Sequence, residues 1–336
     1  MNLNALHTAP RLLLEAELSP VAGQRFQPTG FADLGAADYK LPNGTEMLLV
    51  ESAQSVANRL EKTCLDGDGP DLDPALAGLS YVVADLEGAE GVNATSSLIE
   101  AHRIGSPYFI LNKDFQLRVA KEMGYNPKLP LDWKKIYATL FRYDANSLVH
   151  GVFLSLLDGG RVRSPRAITG FIEAENVKRV ISGGVKNSPV DPTGKTQVVT
   201  DEKAESGIYS NVPYPRVEYV ANRITAYFNL DLALIRGYRL GDDAVNLLTA
   251  LALLKVRRFL DGSLRLRTAC DFQVDSLVAK TPPGFELPVE AELLSAVQSG
   301  IKSCASMFAD PPVTRFKTKV KIVEKEKADK TAAVKP

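Results

Sequence analysis

The sequence predicts an α+β protein with a ferredoxin-like core, a helical insertion and a protruding β-hairpin. Two strand–helix–strand units, at residues 11–86 and 224–272, together predict the βαββαβ plan of that fold. Helical periodicity over about residues 93–158 interrupts the plan and indicates an insertion. Residues 182–215 contain four glycines, four prolines and few large apolar side chains, so we expect them to project from the body.

The first unit opens with a predicted strand at Arg11–Leu18. A long loop, Ser19–Gly44, follows and is punctuated by glycine and proline. Apolar residues at three- and four-residue steps predict an amphipathic helix over about Glu46–Leu65, and these are Leu49, Ala53, Val56, Leu60 and Cys64. Tyr81–Leu86 is expected to be a buried strand that completes the unit.

The insertion is expected to begin with a capping box formed by Ser97 and Glu100. Apolar residues at helical spacing continue through it, and these are Phe115, Val119, Met123, Val149, Val152, Phe153, Leu156 and Leu157. After the insertion, the pattern over Ile168–Ile181 is typical of a strand.

The second unit contains the strongest two-residue alternation in the chain, at Ile224–Leu234, which predicts a core strand. Asp242 is expected to cap the next helix, which ends at Gly262. Leu264–Phe272 alternates again and completes the unit. A further helix is expected near Val289–Lys302. We therefore expect a single domain at 1–314, followed by a basic, disordered tail at 315–336.

The composition limits the classes of function. The 336 residues are 45% hydrophobic and 24% charged, which is ordinary for a globular protein, and 40 basic residues balance 40 acidic ones. Any binding of nucleic acid must therefore depend on local patches. Three scattered cysteines, Cys64, Cys270 and Cys304, predict neither disulfides nor a zinc site and fit a reducing cytoplasm. No apolar run approaches the roughly 20 residues of a membrane span, so no membrane partner is expected.

An arginine cluster is the most informative local feature. Arg161, Arg163 and Arg166 follow an apolar helical segment, and they have glycine pairs on both sides in the sequence, at 159–160 and at 183–184. Guanidinium groups match phosphate oxygens, and glycine permits close approach of a phosphate chain. The cluster therefore predicts a nucleic-acid contact. The alternative is an ordinary loop whose arginines pair with neighbouring carboxylates such as Asp158.

Two further clusters of polar residues could contact RNA. The first opens the long loop and combines a guanidinium, amides and an aromatic ring: Gln24, Arg25, Phe26 and Gln27. The second crowds polar atoms onto the first predicted helix: Ser52, Gln54, Ser55, Asn58 and Arg59. A structural anchor in the first case and an ordinary solvated helix face in the second are the alternatives.

Catalysis is not indicated. The sequence contains no hydrolase, phosphate-binding-loop, dinucleotide, zinc-protease or kinase motif. His7, His102 and His150 are too scattered to indicate a metal site. Asp33 and Asp38 lie in the long loop, where a carboxylate is usually a turn former. We expect no enzyme activity, no cofactor and no metal.

Five sequence blocks between Arg11 and Lys186 resemble a known family. They are RLLLEAELSPVAGQRFQPTGFADLG, EMLLVESAQSVANRLE, SLIEAHRIGSPY, DANSLVHGVFL and RVRSPRAITGFIEAENVKRVISGGVK. Together they are similar to the backbone subunit of type I CRISPR surveillance complexes (Cascade), in the version of subtype I-U, also called I-G, within the RAMP superfamily. The likeness is weaker over Tyr214–Phe272.

The resemblance implies an RRM-like palm, with 93–158 as helical fingers and 182–215 as a β-hairpin thumb. It implies CRISPR RNA as the ligand, target DNA reached through the guide, and further copies of the chain in a filament. It also implies neighbouring Cascade subunits, namely a large subunit and an RNA-processing or capping subunit. The aromatic motif of common single RRM domains is absent, so base stacking on the sheet is not expected.

Pattern and resemblance together give one set of expected RNA-binding residues: Gln24, Arg25, Phe26, Gln27, Ser52, Gln54, Ser55, Asn58, Arg59, His102, Asn146, His150, Arg161, Arg163, Arg166, Gly183, Gly184 and Lys186. Two alternatives stay open. One is a type III-like backbone subunit that cleaves target RNA with Asp33 or Asp38. The other is an enzyme that binds a phosphorylated small molecule through His150, Arg163 and Arg166.

Overall fold

The structure is a computed structural model, and it describes residues 3–31, 34–88, 93–157, 159–160, 162–187, 189, 198–199, 204–205 and 211–321. Several expectations fall outside these residues. Asp33, Asp158 and Arg161 lie outside them, as do residues 322–336 of the expected tail and most of residues 188–210 of the expected thumb.

The described residues form strands and helices in a mixed order. The strands are β1 (Arg11–Pro20), β2 (Gly30–Phe31), β3 (Gly35–Ala36), β4 (Asp38–Lys40), β5 (Glu46–Glu51), β6 (Tyr81–Glu87), β7 (Ala94–Ser96), β8 (Val152–Phe153), β9 (Arg163–Ser164), β10 (Ile168–Glu175), β11 (Lys178–Asn187), β12 (Val198–Val199), β13 (Ala204–Glu205), β14 (Asn211–Val220), β15 (Arg223–Asp231), β16 (Arg265–Arg267), β17 (Cys270–Thr281) and β18 (Val313–Lys319). The helices are α1 (Asn4–Thr8), α2 (Ala53–Lys62), α3 (Pro107–Ile110), α4 (Lys113–Glu122), α5 (Trp133–Tyr143), α6 (Ala145–His150), α7 (Leu232–Gly237), α8 (Asp242–Asp261) and α9 (Glu290–Ser303), with 3-10 turns at Pro74–Leu76, Arg103–Gly105 and Ala305–Met307.

The main sheet is antiparallel and has the strand order β16-β17-β1-β15-β10-β5-β4. One face of it is buried under α2 and α8. Every second residue of β10 is buried, which is the pattern of a strand with one covered face. Gly170 lies on the covered face, where a Cβ atom would come within 2.8 Å of Phe228 and 3.0 Å of Val56 on α2. The missing side chain therefore lets α2 pack closely on the sheet.

A smaller sheet holds the C-terminal part of the described chain. In it, β18 pairs in parallel with β6, and β6 pairs antiparallel with β7. Phe316 of β18 packs against Phe115 and Phe109 of the helical region, with ring centroids 5.0 and 6.4 Å apart. The strand extends through Lys319, beyond the predicted start of the disordered tail at residue 315. Phe316 is apolar and lies between the charged residues Arg315 and Lys317, which is the alternation typical of a strand. The basic composition of the tail as a whole hid this pattern.

The α+β class is confirmed, but several predicted elements differ from those observed. The segment predicted as one helix at Glu46–Leu65 is strand β5 followed by helix α2, because Ser52 caps the helix at that point. The predicted buried strand at Tyr81–Leu86 exists as β6 but belongs to the smaller sheet, so the strand–helix–strand unit expected at 11–86 is wrong. The strand that lies next to β15 in the main sheet is β10 instead.

Four other predicted features also differ from the structure. Ile168–Ile181 is divided between β10 and β11, with a turn at Asn176, and Leu264–Phe272 is divided between β16 and β17. Gly241, with a φ of 93°, precedes α8 in the cap position that we assigned to Asp242. Glu100 accepts hydrogen bonds from Thr95 and Ser106, so it forms no capping box with Ser97.

A two-stranded hairpin projects from the main sheet. Strands β11 and β14 pair antiparallel from Lys178↔Val220 to Asn187↔Asn211. Ile181 and Val185 on it are 78% and 56% exposed, as expected for a segment outside the core. In the described part of the chain, no helix is long and apolar enough to cross a membrane.

Candidate nucleic-acid interface

The first turn of α2 presents predicted site residues to solvent. Ser52 caps the helix, and its hydroxyl accepts a hydrogen bond from the backbone N–H of Ser55 at 3.3 Å. Gln54 and Asn58 are exposed one turn apart, and the Gln54 amide donates to the Asn58 side-chain oxygen at 2.9 Å. Helix N-termini favour anions because their backbone N–H groups and dipole point outward. This turn is thus suited to a phosphate.

A fully buried carboxylate lies behind that turn. Glu51, at the end of β5, accepts hydrogen bonds from Ser55, from the Arg59 Nε at 3.2 Å and from the Arg267 guanidinium. Arg59 also donates to the backbone carbonyl of Arg265 at 3.4 Å. Burial lowers the pKa of Arg59 from its ordinary value. The donors of Arg59 are therefore engaged by the protein, and the side chain fixes α2 to β16.

Gln27 lies between two arginines from distant parts of the chain. Its side-chain oxygen accepts from the Arg216 Nε at 2.8 Å, and its backbone carbonyl accepts from the Arg267 Nη1 at 3.1 Å. Its own N–H donates to the backbone carbonyl of Ala269 at 2.8 Å. The start of the long loop is thereby fixed against β14 and against the β16–β17 turn.

A second carboxylate, Glu218 of β14, is also placed between two arginines. It is 6% exposed, and it accepts from the Ser182 hydroxyl at 2.7 Å and from Arg25 at 3.2 Å. The Arg216 Nε lies 3.5 Å from its other oxygen. The side chain of Arg25 remains 56% exposed. Each buried carboxylate therefore neutralises only one of the two guanidinium groups beside it, which leaves net positive charge at the surface.

A groove of about 690 Å³ lies between residues 28–30 and 34–38 on one side and the hairpin on the other. Arg179, Arg216 and Arg267 contribute cationic groups to its lining, and Gln27 contributes its amide. Arg179 is exposed, and it forms no ion pair within the part of the chain that the structure describes. The groove combines guanidinium groups with a side-chain amide, as phosphate-contacting surfaces do. Asp38 also lines it.

The predicted arginine cluster adjoins this surface. Arg166 donates to the side-chain oxygen of Gln54, and burial lowers the pKa of Arg166 from its ordinary value. Arg163 is exposed, with its guanidinium carbon 6.0 Å from the centre of the Phe153 ring. Arg161 lies outside the described residues. We call this set of side chains the arginine strip, and it comprises Arg25, Gln27, Gln54, Asn58, Arg163, Arg166, Arg179, Arg216 and Arg267.

Two predicted contact residues are inside the protein. Asn146 and His150 are 2% and 0% exposed, and the Lys255 ammonium donates to both, at 2.9 Å to the His150 Nε2. Asn146 also donates to Glu61 at 3.0 Å, and Glu61 binds the Arg103 guanidinium through both carboxylate oxygens at 2.6 and 2.7 Å. This buried network joins α2, α6, α8 and the turn at Arg103, and it offers no ligand-facing surface for Asn146 or His150.

Burial lowers the pKa of His150 well below its ordinary value, and Lys255 and then Arg103 lower it further. Its Nδ1 has no hydrogen-bond partner among the described residues. The imidazole is fully buried and therefore presents no surface to a ligand. The geometry therefore offers no phosphate site built from His150 and the arginine cluster.

The remaining predicted residues are more scattered. Phe26 is 1% exposed and packs edge-on against Phe272 at 5.6 Å, so it anchors the loop and presents no stacking face. Gln24 is exposed and lines a second groove, of about 660 Å³, on the Arg25 side of Glu218. Gly183, Gly184 and Lys186 lie on the hairpin. His102 is exposed, and its side chain makes no hydrogen bond to the arginine strip in the described structure.

Sequence reasoning missed Arg179, Arg216 and Arg267. Arg267 gave a weak signal, because it alternates with apolar residues in a predicted strand. The pairing of Arg216 and Arg267 with Gln27 spans 189 and 240 residues, which no local pattern reveals. Among the described residues, no group of three potential ligands could hold a metal ion.

Three solved structures are similar to the chain at low sequence identity. A chain of a "CRISPR RNA-guided surveillance complex, pre-nicking" has 11% identity and a TM-score of 0.41, with 92% of this chain and 96% of that chain covered. The crystal structure of Thermofilum pendens Csc2 has 8% identity and a TM-score of 0.30, with 90% and 79% covered. A chain of a "CRISPR RNA-guided surveillance complex" has 11% identity and a TM-score of 0.29, with 91% and 95% covered. No curated protein sequence matches the chain.

A family model provides the assignment. The model described as CRISPR-associated protein GSU0053 matches residues 12–179, which is half of the 336-residue chain. The matched region includes β1, β5, α2, the helical region and β10, and with them Gln27, Gln54 and Arg166 of the arginine strip. The chain belongs to the CRISPR-associated protein GSU0053 family.

Proposed function

We propose that the protein is a CRISPR RNA-binding backbone subunit of a type I surveillance complex of subtype I-U, also called I-G. In this role it polymerises along the guide spacer and presents the guide to target DNA. The observation that carries the proposal is the arginine strip. Its guanidinium and amide groups come from six separate parts of the chain. Four of its residues, Gln27, Arg179, Arg216 and Arg267, line one groove, and hydrogen bonds join Gln54 to Arg166 and Asn58.

The chemistry of the strip suits an RNA backbone of any sequence. Every spacer differs in sequence, so a guide-binding surface must contact phosphates and sugars and leave the base edges free for pairing. Arginine forks and side-chain amides bind phosphate oxygens independently of sequence. The exposed members of the strip, Arg25, Arg163 and Arg179, are the contacts that we propose, together with the α2 amides Gln54 and Asn58.

We also propose the palm, fingers and thumb arrangement. The order β17-β1-β15-β10, with α2 and α8 on one face, is the strand order of a ferredoxin-like βαββαβ unit and supports a palm. The helices between β7 and β8 would form the fingers, and the β11–β14 hairpin would form the base of the thumb. A palm with these insertions is a single domain, which is also how we propose to divide the chain.

The proposed partners are further copies of the chain, a large subunit and an RNA-processing or capping subunit, in the cytoplasm. The role proposed here is structural, without catalysis. Asp38 is the carboxylate in the groove, and among the described residues it does not belong to any group of three potential metal ligands. Cleavage of a phosphodiester by metal ions generally needs several such ligands.

The decisive test of the proposal is purification with and without a co-expressed CRISPR array. With the array, the protein should elute as a large assembly that carries nuclease-protected RNA of spacer length. Without it, the protein should elute as a smaller species. Identical elution and no protected RNA in both preparations would refute the proposal.

The position of Asp38 favours one alternative function. A type III-like subunit would use this groove carboxylate to cleave RNA paired with the guide. Incubation of the assembled complex with complementary RNA and Mg²⁺ separates the two functions, because only the alternative predicts cut product.

A further inference from the structure

An aromatic pair lies on the face of the main sheet opposite α2 and α8. Phe171 of β10 and Tyr227 of β15 are directly opposite each other in the strand register. Their rings are stacked, with centroids 5.1 Å apart and an interplanar angle of 28°. Both side chains are half-exposed, and neither ring is part of the hydrophobic core. The two central strands thus present a stacked aromatic surface that the rest of the described chain leaves partly open.

Carboxylates surround this pair. Glu15 lies opposite Tyr227 in the register, and Glu17 and Glu173 lie on either side of Thr225 in the next row. Glu175 follows on β10, and Tyr39 donates to Glu173 at 2.7 Å. Burial and then Glu173 raise the pKa of Tyr39 to about 12.

The cations on this face only partly compensate for those carboxylates. Arg223 lies 3.6 Å from Glu15 and 3.8 Å from Glu175, and Lys280 lies 3.5 Å from Glu15. All three distances are longer than a charge-assisted hydrogen bond. Arg11 and Asp231 lie opposite each other on the same face, so five carboxylates against three cations leave it acidic.

The same face has an acceptor atom without a donor. The side-chain oxygen of Asn229 is buried and has no hydrogen-bond partner among the described residues. Asn229 alternates in phase with Tyr227 along β15, so the two residues lie on the same side of the sheet. Buried polar atoms without a partner are uncommon in proteins, and this oxygen is closed to solvent in the described structure.

We propose that this acidic aromatic face binds an arginine-bearing segment of another protein. A guanidinium stacks on aromatic rings, forms paired hydrogen bonds with carboxylates and supplies five N–H donors. The face offers two of these complements: the Phe171–Tyr227 rings and the carboxylates of Glu15, Glu173 and Glu175. A lysine ammonium would satisfy the charge but would match the planar geometry less well.

The acidic charge of this face favours a protein partner over a nucleic acid. Exposed aromatic rings on central strands can stack nucleic-acid bases, but the excess of carboxylates on the same face repels a phosphate backbone. The proposal uses none of the residues of the arginine strip. Its outcome is therefore independent of the function proposed above.

Binding of a fluorescein-labelled hexa-arginine peptide to the full-length protein, followed by anisotropy, tests the proposal. The pair Glu173→Gln and Glu175→Gln should weaken binding about five-fold or more. The pair Phe171→Leu and Tyr227→Leu should weaken it about two- to five-fold, the size expected for an exposed cation–π contact. A hexa-lysine peptide should bind wild type more weakly and should be insensitive to the leucine pair.

The matched control is Asp66→Asn with Asp68→Asn, in an exposed acidic loop that follows α2. It should change hexa-arginine affinity less than two-fold. An equal loss in the control pair would show unspecific charge attraction and overturn the proposal. Loss of oligouridine binding in the leucine pair would identify base stacking, and loss of self-association would identify a second copy of the chain; either result overturns it. If the leucine pair does not fold, the glutamine pair decides.

Discussion

At the scale of single residues, two buried carboxylates organise the cationic surface. Glu51 is held between Arg59 and Arg267, and Glu218 is held between Arg25 and Arg216. A buried carboxylate is stabilised only when cations and hydrogen bonds replace its water. In return it fixes the direction of each guanidinium. The carboxylates thus order the arginines for a ligand without cancelling their charge.

The exposed arginines of the arginine strip should carry RNA affinity through charge. Changing both Arg163 and Arg179 to alanine should reduce the slope of log affinity against log salt by about 1.4, because each single-strand phosphate that an arginine neutralises adds roughly 0.7 to that slope. The reduction should be the same for spacers of different sequence. Filter binding from about 50 to 200 mM salt measures the slope. Lys302→Ala on α9 is the control, and a slope unchanged by the arginine pair would remove these residues from the interface.

His150 should make the protein sensitive to acid. Its pKa in the folded protein lies well below the unfolded value of about 6.5, so the unfolded state binds more protons as the pH falls below 6.5. This group therefore reduces the free energy of unfolding at low pH, by at most about 2 kcal/mol at pH 5. His150→Gln should remove that part of the pH dependence between pH 7 and pH 5, as measured by urea unfolding.

Asp144 acts in the opposite direction. Burial raises its pKa from 3.8 to about 6, so the folded state binds the extra proton between those values. Its contribution to stability therefore falls as the pH rises from about 4 to 6 and stays low above 6. Asp144→Asn should reduce the increase in the free energy of unfolding that Asp144 gives as the pH falls from about 6 to 4. His102→Gln, at an exposed histidine, is the control for both the Asp144 and the His150 variants. An unchanged pH slope in His150→Gln would contradict the role given to the buried imidazole.

At the scale of elements, the hairpin and β18 differ in how they are attached. The described hairpin residues beyond Ile181 are largely exposed, whereas Phe316 on β18 packs against two aromatic rings. The base of the hairpin is joined to the body by the Phe26↔Tyr219 bridge and by Glu218. Stability should therefore depend on β18 and on the base of the hairpin, and little on its outer part.

Replacing residues 182–215 with a short glycine linker should leave a folded protein that no longer assembles on guide RNA. The described residues of this segment bury little apolar area, so the melting temperature should fall by only a few degrees. Thermal unfolding and elution with the co-expressed array measure the two effects. Complete unfolding would place this segment in the core instead of in a thumb.

Truncation should locate the end of the domain. Removing residues 322–336 should leave the melting temperature unchanged, whereas removal from residue 313 onward should destabilise the protein by several kcal/mol, because it eliminates the Phe316 cluster and the β6 pairing. Phe316→Ala alone should account for about 2–4 kcal/mol of that destabilisation. Equal stability of the two truncations would contradict this.

At the scale of the whole molecule, the absence of a catalytic group remains a prediction. Asp38→Ala should leave interference by the full complex largely intact, because a single groove carboxylate cannot both hold a metal and activate a nucleophile. Plasmid interference in cells carrying the complete system measures this. Metal-dependent cleavage of paired RNA that disappears in Asp38→Ala would instead support the type III-like alternative.

The sequence by itself determined the α+β class, most strand and helix positions and the general location of a polar surface. Alternation in β10 and β15 and helical spacing in α8 are local patterns, set by which side chains a single element buries. The residues at 24–27 and 52–59 were predicted from side-chain chemistry alone. The structure brings Gln27, Gln54 and Arg166 into one surface.

Only the tertiary structure decided which strands are neighbours and which polar residues face solvent. Strand β6 lies in the smaller sheet, and β10 pairs with β15 in the main sheet. Packing between elements that are distant in the sequence determines this arrangement. From the sequence, Asn146 and His150 were expected to face a ligand. In the structure both are buried, and Lys255, more than 100 residues later in the chain, donates a hydrogen bond to each of them. Burial and ion pairing depend on interactions across the whole chain, and no local pattern carries that information.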